Sequence, residues 1–235
     1  MKILSVSDIE LGLIYSAHIA ERFGDVDLVI SCGDLPYYYL EFMISMLDKP
    51  LYFVRGNHAS KLEIGVGGVR TAPWGAINLH NRVLRTESGL LLAGIEGSVR
   101  YNRGPYQYTQ GEMWWMVLRM VPALLWNKLR YGRYLDIFVT HAPPWKIGDG
   151  EDRPHQGIKA FRWLIEVFQP AYHLHGHIHI YRSDRIEPVR VNQTLVINTY
   201  GFRELEFELP DLVSRSRGKV SPSSLLAERR KPDVG

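Results

Sequence analysis

The sequence repeatedly places a short apolar segment directly before a polar side chain of a type that binds metal ions. Residues 2–7 precede Asp8, and residues 27–32 precede Gly33-Asp34. Later apolar segments precede Asn57-His58, His141, and the pair His177 and His179. Alternation of such segments with helical stretches predicts a largely parallel β-sheet. Ligands bind beyond the carboxyl ends of the strands in such sheets, so we expect these side chains at one shared edge.

Four histidines alternate within residues 171–179: His173, His175, His177 and His179. Alternate side chains of an extended strand share one face, and Gly176 favours a turn inside the run. Neutral imidazole is the commonest metal ligand in proteins. The second pair, which follows Gly176 at the strand end, is therefore predicted to bind metal. The first pair is interpreted as part of the strand that positions them.

The remaining pattern predicts an α/β chain with helices at residues 16–23, 37–47, 112–129 and 158–168. Further strands are expected at 50–54 and 134–140, and a β-hairpin at 78–87 and 89–93. Residues 181–186, 195–199 and 203–209 are expected to form strands of a second sheet. Residues 211–235 are rich in Ser, Arg, Lys and Pro, which indicates a mobile basic tail after a catalytic domain of residues 1–210.

Residues 102–133 read as an insert that consists of a polar loop and a strongly apolar helix. We favour a helix that packs on the core or covers a pocket over a contact with a membrane surface or a second copy. Pro122 is expected to kink this helix or to mark a helix start. Its charged residues argue against a membrane span, so we expect no transmembrane segment. A homo-oligomer formed through residues 112–129 is the protein contact that the pattern suggests.

The bulk composition fits one α/β domain. With 235 residues, of which 46% are hydrophobic, the chain can bury a sizeable core. A formal net charge of +3 is too small to indicate nucleic-acid binding by itself, and we do not expect nucleic acid as a partner. The single cysteine, Cys32, cannot form an internal disulfide, which fits a reducing compartment. Because the first residues reach Asp8 before a long apolar region forms, we expect no secretory signal and a cytoplasmic protein.

In this order the motifs resemble those of the calcineurin-like metallophosphoesterase family. The matching segments are Asp8-Ile-Glu10, Gly33-Asp34, Gly56-Asn-His58, His141 and Gly176-His-Ile-His179. The resemblance implies a four-layer α/β/β/α sandwich of two mixed sheets flanked by helices. It also implies hydrolysis of a phosphoester by a hydroxide that bridges two divalent metal ions, with protonated His58 as general acid.

The resemblance further implies a ligand set for the two ions, with Asp34 bridging them. The first site is completed by Asp8 and His179, and the second by Asn57, His141 and His177. Oxygen and imidazole donors suit Mn or Fe, with Zn or Ni as alternatives.

Glu10 departs from the family pattern, which has a histidine at this position. We expect Glu10 to bind the first ion through oxygen, and the additional carboxylate favours Mn or Fe over Zn. The alternative is that Glu10 points away and leaves the first site weak. Ala59 is a smaller departure, because many relatives carry an acid there, so the orientation of His58 would depend on another carboxylate.

Residues on the strand-end loops are candidates for substrate contacts: Arg55, Ser98, Arg100, Tyr101 and His155. Two other histidines, His18 and His80, fit no part of the pattern and are interpreted as structural. The leading hypothesis is a phosphodiesterase or phosphomonoesterase that acts on a small molecule. Two alternatives remain: a nuclease, and a catalytically weakened metal-binding scaffold of the same fold, which the departure at Glu10 keeps open.

Overall fold

The computed structural model describes residues 1–65, 68–180 and 187–208. The helices within these ranges are α1 (Ile19–Phe23), α2 (Tyr37–Leu47), α3 (Gln110–Tyr131) and α4 (Lys159–Phe168). The strands within them are β1 (Lys2–Ser7), β2 (Leu28–Ser31), β3 (Leu51–Phe53), β4 (Glu63–Gly65), β5 (Gly68–Arg70), β6 (Ala76–Asn78), β7 (Arg82–Arg85), β8 (Leu91–Ile95), β9 (Ser98–Val99), β10 (Gln107–Tyr108), β11 (Ile137–Thr140), β12 (Tyr172–His175), β13 (Val189–Val191), β14 (Thr194–Asn198) and β15 (Gly201–Glu206). The expected strand at 181–186 and the expected tail at 211–235 lie outside the described residues.

The first sheet has the strand order β15-β1-β2-β3-β6 in the part of the chain that the structure describes. β1, β2, β3 and β6 run parallel, and β15 pairs antiparallel with β1, with Lys2 opposite Glu206. The prediction that residues 203–209 belong to the second sheet is therefore wrong. β15 alternates between more and less buried residues, as an edge strand of either sheet would, so its local sequence does not identify its partner.

The second sheet has the order β13-β14-β12-β11-β8-β7 among the described strands. Its four central strands are parallel, and the edge strands β13 and β7 are antiparallel to their neighbours. The antiparallel pairing of β7 with β8 confirms the expected β-hairpin. Its first strand begins later than predicted, because the backbone amide of Leu79 bonds Phe53 in the first sheet and that of Asn81 bonds Gly94 in the second. The chain therefore crosses between the sheets at this point.

The two sheets pack face to face and are covered by helices on their outer faces. Side chains such as Ile30 of the first sheet and Leu92 and Ile137 of the second form the core between them. α1 and α2 pack on the outer face of the first sheet, and α3 and α4 pack on the outer face of the second. This is the α/β/β/α sandwich that the resemblance of the motifs implies.

The helix α3 begins and ends with defined capping contacts. Thr109 and Glu112 form a reciprocal capping box at its start, and Gly132 follows its end with a φ of 75°. Pro122 lies inside the helix and does not mark a helix start. The buried side chains Met113, Val117, Met120 and Leu124 face the core, which confirms the interpretation as a core helix.

The opposite face of α3 carries large apolar side chains in contact with solvent. Trp115 is 64% exposed, Trp126 is 61% exposed and Leu129 is 80% exposed. Among the described helices none is long and apolar enough to cross a membrane.

Candidate metal centre

The predicted ligands lie where parallel strands of both sheets end at one edge. Asp8 follows β1, Asp34 follows β2, and Asn57 lies beyond β3, so three adjacent strands of the first sheet supply oxygen donors. His141 follows β11 and His177 lies beyond β12, two adjacent strands of the second sheet. Strand order thus brings together side chains that are far apart in the sequence.

Three of these residues have backbone angles that non-glycine residues rarely adopt. The φ of Asp8 is 68°, that of Asp34 is 56° and that of His177 is 70°. Such a left-handed conformation costs on the order of 1 kcal/mol for each residue and persists where the surroundings require it. Here it turns the chain sharply at each strand end.

Two glycines allow the backbone to approach the carboxylates closely. A Cβ atom on Gly56 would lie 2.0 Å from Oδ1 of Asp34, and one on Gly176 would lie 2.4 Å from Oδ2 of Asp8. Real Cβ atoms do not come this close to other heavy atoms. The glycines of the Gly-Asn-His and Gly-His-Ile-His segments are therefore required by the position of the two aspartates.

Four acceptor atoms converge at the second of the two expected sites. Nε2 of His141 lies 3.0 Å from Oδ1 of Asn57, 3.1 Å from Oδ2 of Asp34 and 3.2 Å from Nδ1 of His177. Nδ1 of His141 donates to the carbonyl of Cys32 at 2.8 Å, so Nε2 is the nitrogen that faces the other ligands. Nε2 of His177 likewise donates to the carbonyl of Pro154 at 2.8 Å, which leaves a lone pair on its Nδ1. This donor set needs a proton or a cation at its centre, so it fits a metal ion.

The electrostatics of these groups favour positive charge at the same point. Burial by itself lowers the pKa of His141, but the nearby charges of Asp34 and Asp8 outweigh it and raise the pKa. Burial by itself raises the pKa of Asp34, but His141 reverses the direction and lowers it. Burial lowers the pKa of His177 to about 3, so this ring is neutral and can act as a ligand.

The first expected site is more open than the second. Oδ1 of Asp8 lies 3.9 Å from Nε2 of His179, whose side chain is 48% exposed and packs against the ring of Tyr200 at 5.1 Å. Both carboxylate oxygens of Asp8 accept the backbone amide of His177, at 3.0 and 3.1 Å. Burial raises the pKa of Asp8. Within the described residues, Asp8, Asp34 and His141 form a group in which one ligand atom from each residue lies within 4.8 Å of the ligand atoms of the other two.

Glu10 lies in an exposed position after β1 and is hydrogen-bonded to the second helix, α2. Oε2 of Glu10 accepts the hydroxyl of Tyr38 from α2, and the residue is exposed. The group of Asp8, Asp34 and His141 does not include it. Its role as a metal ligand therefore stays a prediction, and the bond to Tyr38 has to be considered in any test of it.

His58 lies next to the centre with its side chain exposed. Its backbone amide donates to Oδ1 of Asp34 at 2.9 Å, which fixes the start of the side chain beside the expected bridging ligand. Ala59, where relatives carry an acid, is buried. The role of His58 as a proton donor that does not bind the metals stays a prediction.

Of the residues expected to contact substrate, two lie beside the second site. Nδ2 of Asn57 donates a hydrogen bond of 3.1 Å to the hydroxyl of Tyr101. This contact directs the amide oxygen of Asn57 toward His141. The ring of His155 lies 5.4 Å from that of His177. Tyr101 thus orients a candidate ligand, a role that the sequence did not suggest.

The other three expected substrate residues make contacts within the protein. Arg55 bonds the carbonyl of Thr71 at 2.7 Å and pairs with Glu96 at 3.4 Å. Ser98 is fully buried, and Arg100 pairs with Glu112 at the start of α3 at 3.1 Å. Their contacts with substrate remain predictions. Binding a substrate would require the two arginines to give up these interactions within the protein and Ser98 to become accessible.

The first two histidines of the run belong to the buried strand β12. His173 bonds the hydroxyl of Thr140 at 2.8 Å and stacks on Phe138, and burial lowers its pKa well below the ordinary value. His175 is 2% exposed, and burial lowers its pKa to about 4. Both rings are neutral parts of the packing. The strand ends at His175, so the alternation seen in the sequence does not continue as an extended face through His177.

Glu96 is a buried residue whose importance the sequence reasoning missed. It is 4% exposed and accepts the hydroxyl of Tyr108 at 2.8 Å in addition to its pairing with Arg55. The next residue, Gly97, donates its amide to the carbonyl of Arg55 at 2.8 Å and accepts the amide of Ala142 at 3.3 Å. This segment therefore joins the two loops that carry the second-site ligands. An acid directly after the apolar segment at residues 90–95 was the available signal.

A family comparison agrees with this geometry. The model for calcineurin-like phosphoesterases matches residues 1–181, which include every candidate ligand from Asp8 to His179. The chain belongs to the calcineurin-like phosphoesterase family. Metal-dependent hydrolysis of phosphoesters is the chemistry of calcineurin-like phosphoesterases, and the resemblance seen in the sequence is confirmed. No curated protein matches the sequence significantly.

Solved structures show that the fold of this calcineurin-like phosphoesterase is shared at low sequence identity. The protein TT1561 of Thermus thermophilus has a TM-score of 0.54 and 14% identity, and the match covers 85% of this chain and 89% of that one. Another crystal structure has a TM-score of 0.57 and 15% identity, and the match covers 88% of this chain and 99% of the other. At this identity the similarity concerns the fold alone.

Proposed function

We propose that the protein hydrolyses a small-molecule phosphomonoester or phosphodiester with two divalent metal ions. The observation that carries the proposal is the convergence of Asp34, Asn57, His141 and His177 on one point, with both imidazoles held in the tautomer that a metal requires. Such a constellation has no evident use in packing, because it gathers acceptors that repel one another without a cation.

The proposed ligand sets follow the strand ends. Asp34 is shared, Asn57, His141 and His177 belong to the second site, and Asp8, His179 and Glu10 to the first. These oxygen and imidazole donors favour Mn or Fe, and Zn or Ni would also bind. When bound, the ions polarise the phosphoester, offset its charge and make water a stronger nucleophile.

His58 is the proposed general acid. The hydrogen bond from its backbone amide to Asp34 keeps the residue beside the proposed bridging ligand. Its exposed ring is therefore proposed to reach the leaving oxygen of a substrate whose phosphate binds at the metal centre. Protonation of that oxygen matters most when the leaving group is a poor one, such as an alkoxide.

The alternatives have less support. A nuclease needs a continuous basic groove, but Arg100 and Arg133 near α3 are paired with Glu112 and Asp136. A scaffold without catalysis needs no proton donor beside a complete second site. The buried single cysteine, Cys32, fits the cytoplasmic location that we propose.

The test is hydrolysis of p-nitrophenyl phosphate and bis(p-nitrophenyl) phosphate by chelator-treated protein with and without added Mn²⁺. The proposal expects turnover of at least one ester that depends on Mn²⁺. Absence of turnover with both esters, in protein that has bound the metal, would favour the scaffold.

Self-association through α3 is a separate proposal. The exposed Trp115, Trp126 and Leu129 form an apolar face that a second copy would cover. Sedimentation analysis of the wild type and of Trp126→Gln tests it. A dimer that the substitution weakens supports the contact, whereas a monomeric wild type at high concentration refutes it.

A further inference from the structure

An apolar groove opens beside the first metal site. Its volume is about 490 Å³, within the range of small-molecule sites. Its lining includes Ile9, Leu11, Leu13, Ile180, Tyr200 and Phe202.

The lining residues connect this groove directly to the candidate ligands. Ile9 lies between Asp8 and Glu10 in the chain, and Ile180 follows His179. Tyr200, which also lines the groove, packs against the ring of His179 with 5.1 Å between the ring centres. A molecule whose phosphate lies at the first site can therefore place its substituent in the groove.

The groove is built to contact apolar groups. Ile9 and Leu13 remain 38% and 44% exposed, so a ligand that covers them removes apolar surface from water. Gly201 in the lining has a φ of 76°, and a Cβ atom there would be in ordinary van der Waals contact with Leu11 at 3.5 Å. The charged lining residue, Arg203, directs Nη1 to the carbonyl of Phe202 at 2.5 Å.

We propose that this groove binds the organic substituent of the substrate, and that the substrate is a phosphoester of an apolar alcohol. The inference rests on the proposed function, because it assumes that the phosphate of the substrate lies at the metal centre. It adds the class of the organic group, which the metal ligands themselves do not select.

Binding of alkylphosphonates tests the groove without requiring turnover. These molecules keep a phosphonate for the metal centre and extend an alkyl chain of chosen length. Each buried methylene is expected to tighten binding by about fourfold, which is the transfer free energy of one methylene converted to an affinity ratio. Calorimetry on the Mn²⁺-loaded protein with methyl-, butyl- and octylphosphonate should therefore give dissociation constants that fall steeply with chain length. Equal affinities for the three, or no binding of any, would overturn the proposal.

A pair of variants locates the effect. Leu13→Ser removes an apolar wall of the groove and should reduce the preference for octylphosphonate over methylphosphonate by about fifteenfold, the effect of roughly two fewer buried methylene equivalents. Val167→Ser changes a residue of similar exposure, 48%, on α4 and should leave the preference unchanged. An unchanged preference in Leu13→Ser would place the alkyl chain elsewhere and contradict the proposal.

The two hypotheses fail in different ways. Chain-length-dependent binding without hydrolysis of any phosphoester would contradict the proposed function and retain the groove as a binding site. Hydrolysis of small esters together with length-independent phosphonate binding would retain the function and overturn the groove.

Discussion

Nε2 of His141 and Nδ1 of His177 face each other across 3.2 Å, while the second nitrogen of each ring donates to a backbone carbonyl. The fixed tautomers direct both lone pairs to one point. Because each backbone carbonyl accepts a proton from one ring nitrogen, the two nitrogens that face each other need a shared proton or a metal ion between them.

His177→Ala should remove one ion from the metal-loaded protein. The reason is that His177 supplies one of the donors at the second site, and loss of a donor weakens metal binding strongly. Metal content measured by mass spectrometry after Mn²⁺ loading and desalting should fall from about two ions per chain to about one. The control is His18→Ala, since the His18 side chain is exposed and pairs with Glu21, away from the proposed ligands. A His177→Ala protein that keeps its full metal content would contradict the ligand assignment.

Gly176→Ala should disturb the first site without removing any ligand. The added methyl group would lie 2.4 Å from Oδ2 of Asp8 and 2.7 Å from Oγ of Ser7, so Asp8 has to move. We expect weaker binding of one ion in a calorimetric titration with Mn²⁺. Gly111→Ala is the matched control, because its nearest neighbour is Oγ1 of Thr109 at 3.9 Å. Equal titrations for the two variants would show that Asp8 tolerates displacement.

Glu10→Ala and Tyr38→Phe together test the unusual residue of the first site. If Glu10 binds the ion, its replacement lowers metal content, whereas Tyr38→Phe removes only the hydroxyl that Glu10 accepts and leaves the content unchanged. We expect this pattern in metal analysis of the two purified variants. Full occupancy at both sites in Glu10→Ala would reject ligation by Glu10.

His58→Ala should lower turnover and leave metal content unchanged. General acid catalysis contributes about 10²–10⁴-fold, and the loss should be largest for esters with poor leaving groups. Turnover of an alkyl phosphate should therefore fall much more than that of p-nitrophenyl phosphate, whose leaving group needs little protonation. Equal losses for the two esters would argue against proton donation by His58.

The strand-end pattern predicted a largely parallel sheet and one shared edge for the polar side chains, whereas the four-layer sandwich and the ligand set followed from the resemblance to the calcineurin-like family. An apolar segment followed by Asp, Asn or His indicates the carboxyl end of a strand. Because parallel strands run in the same direction, their carboxyl ends lie at the same edge of the sheet. The same reasoning separated His177 and His179 from the buried His173 and His175. Such predictions depend on local sequence and on the regular geometry of parallel sheets.

Other features depend on contacts that local sequence does not encode. β15 pairs with β1 and not with the second sheet. Its half-buried pattern would fit an edge strand of either sheet, so the sequence of β15 alone does not predict its partner. Arg55 pairs with Glu96, and Arg100 pairs with Glu112. The position of an arginine in a loop does not show which carboxylate it will contact. The bond from Asn57 to Tyr101 likewise joins residues that are distant in the chain.

The most direct test of the binuclear centre is anomalous diffraction from crystals of the Mn²⁺-loaded protein. The account predicts two anomalous peaks about 3.5–4 Å apart, with Asp34 between them, His141 and His177 at one and Asp8 and His179 at the other. A single peak, or peaks away from these side chains, would contradict it.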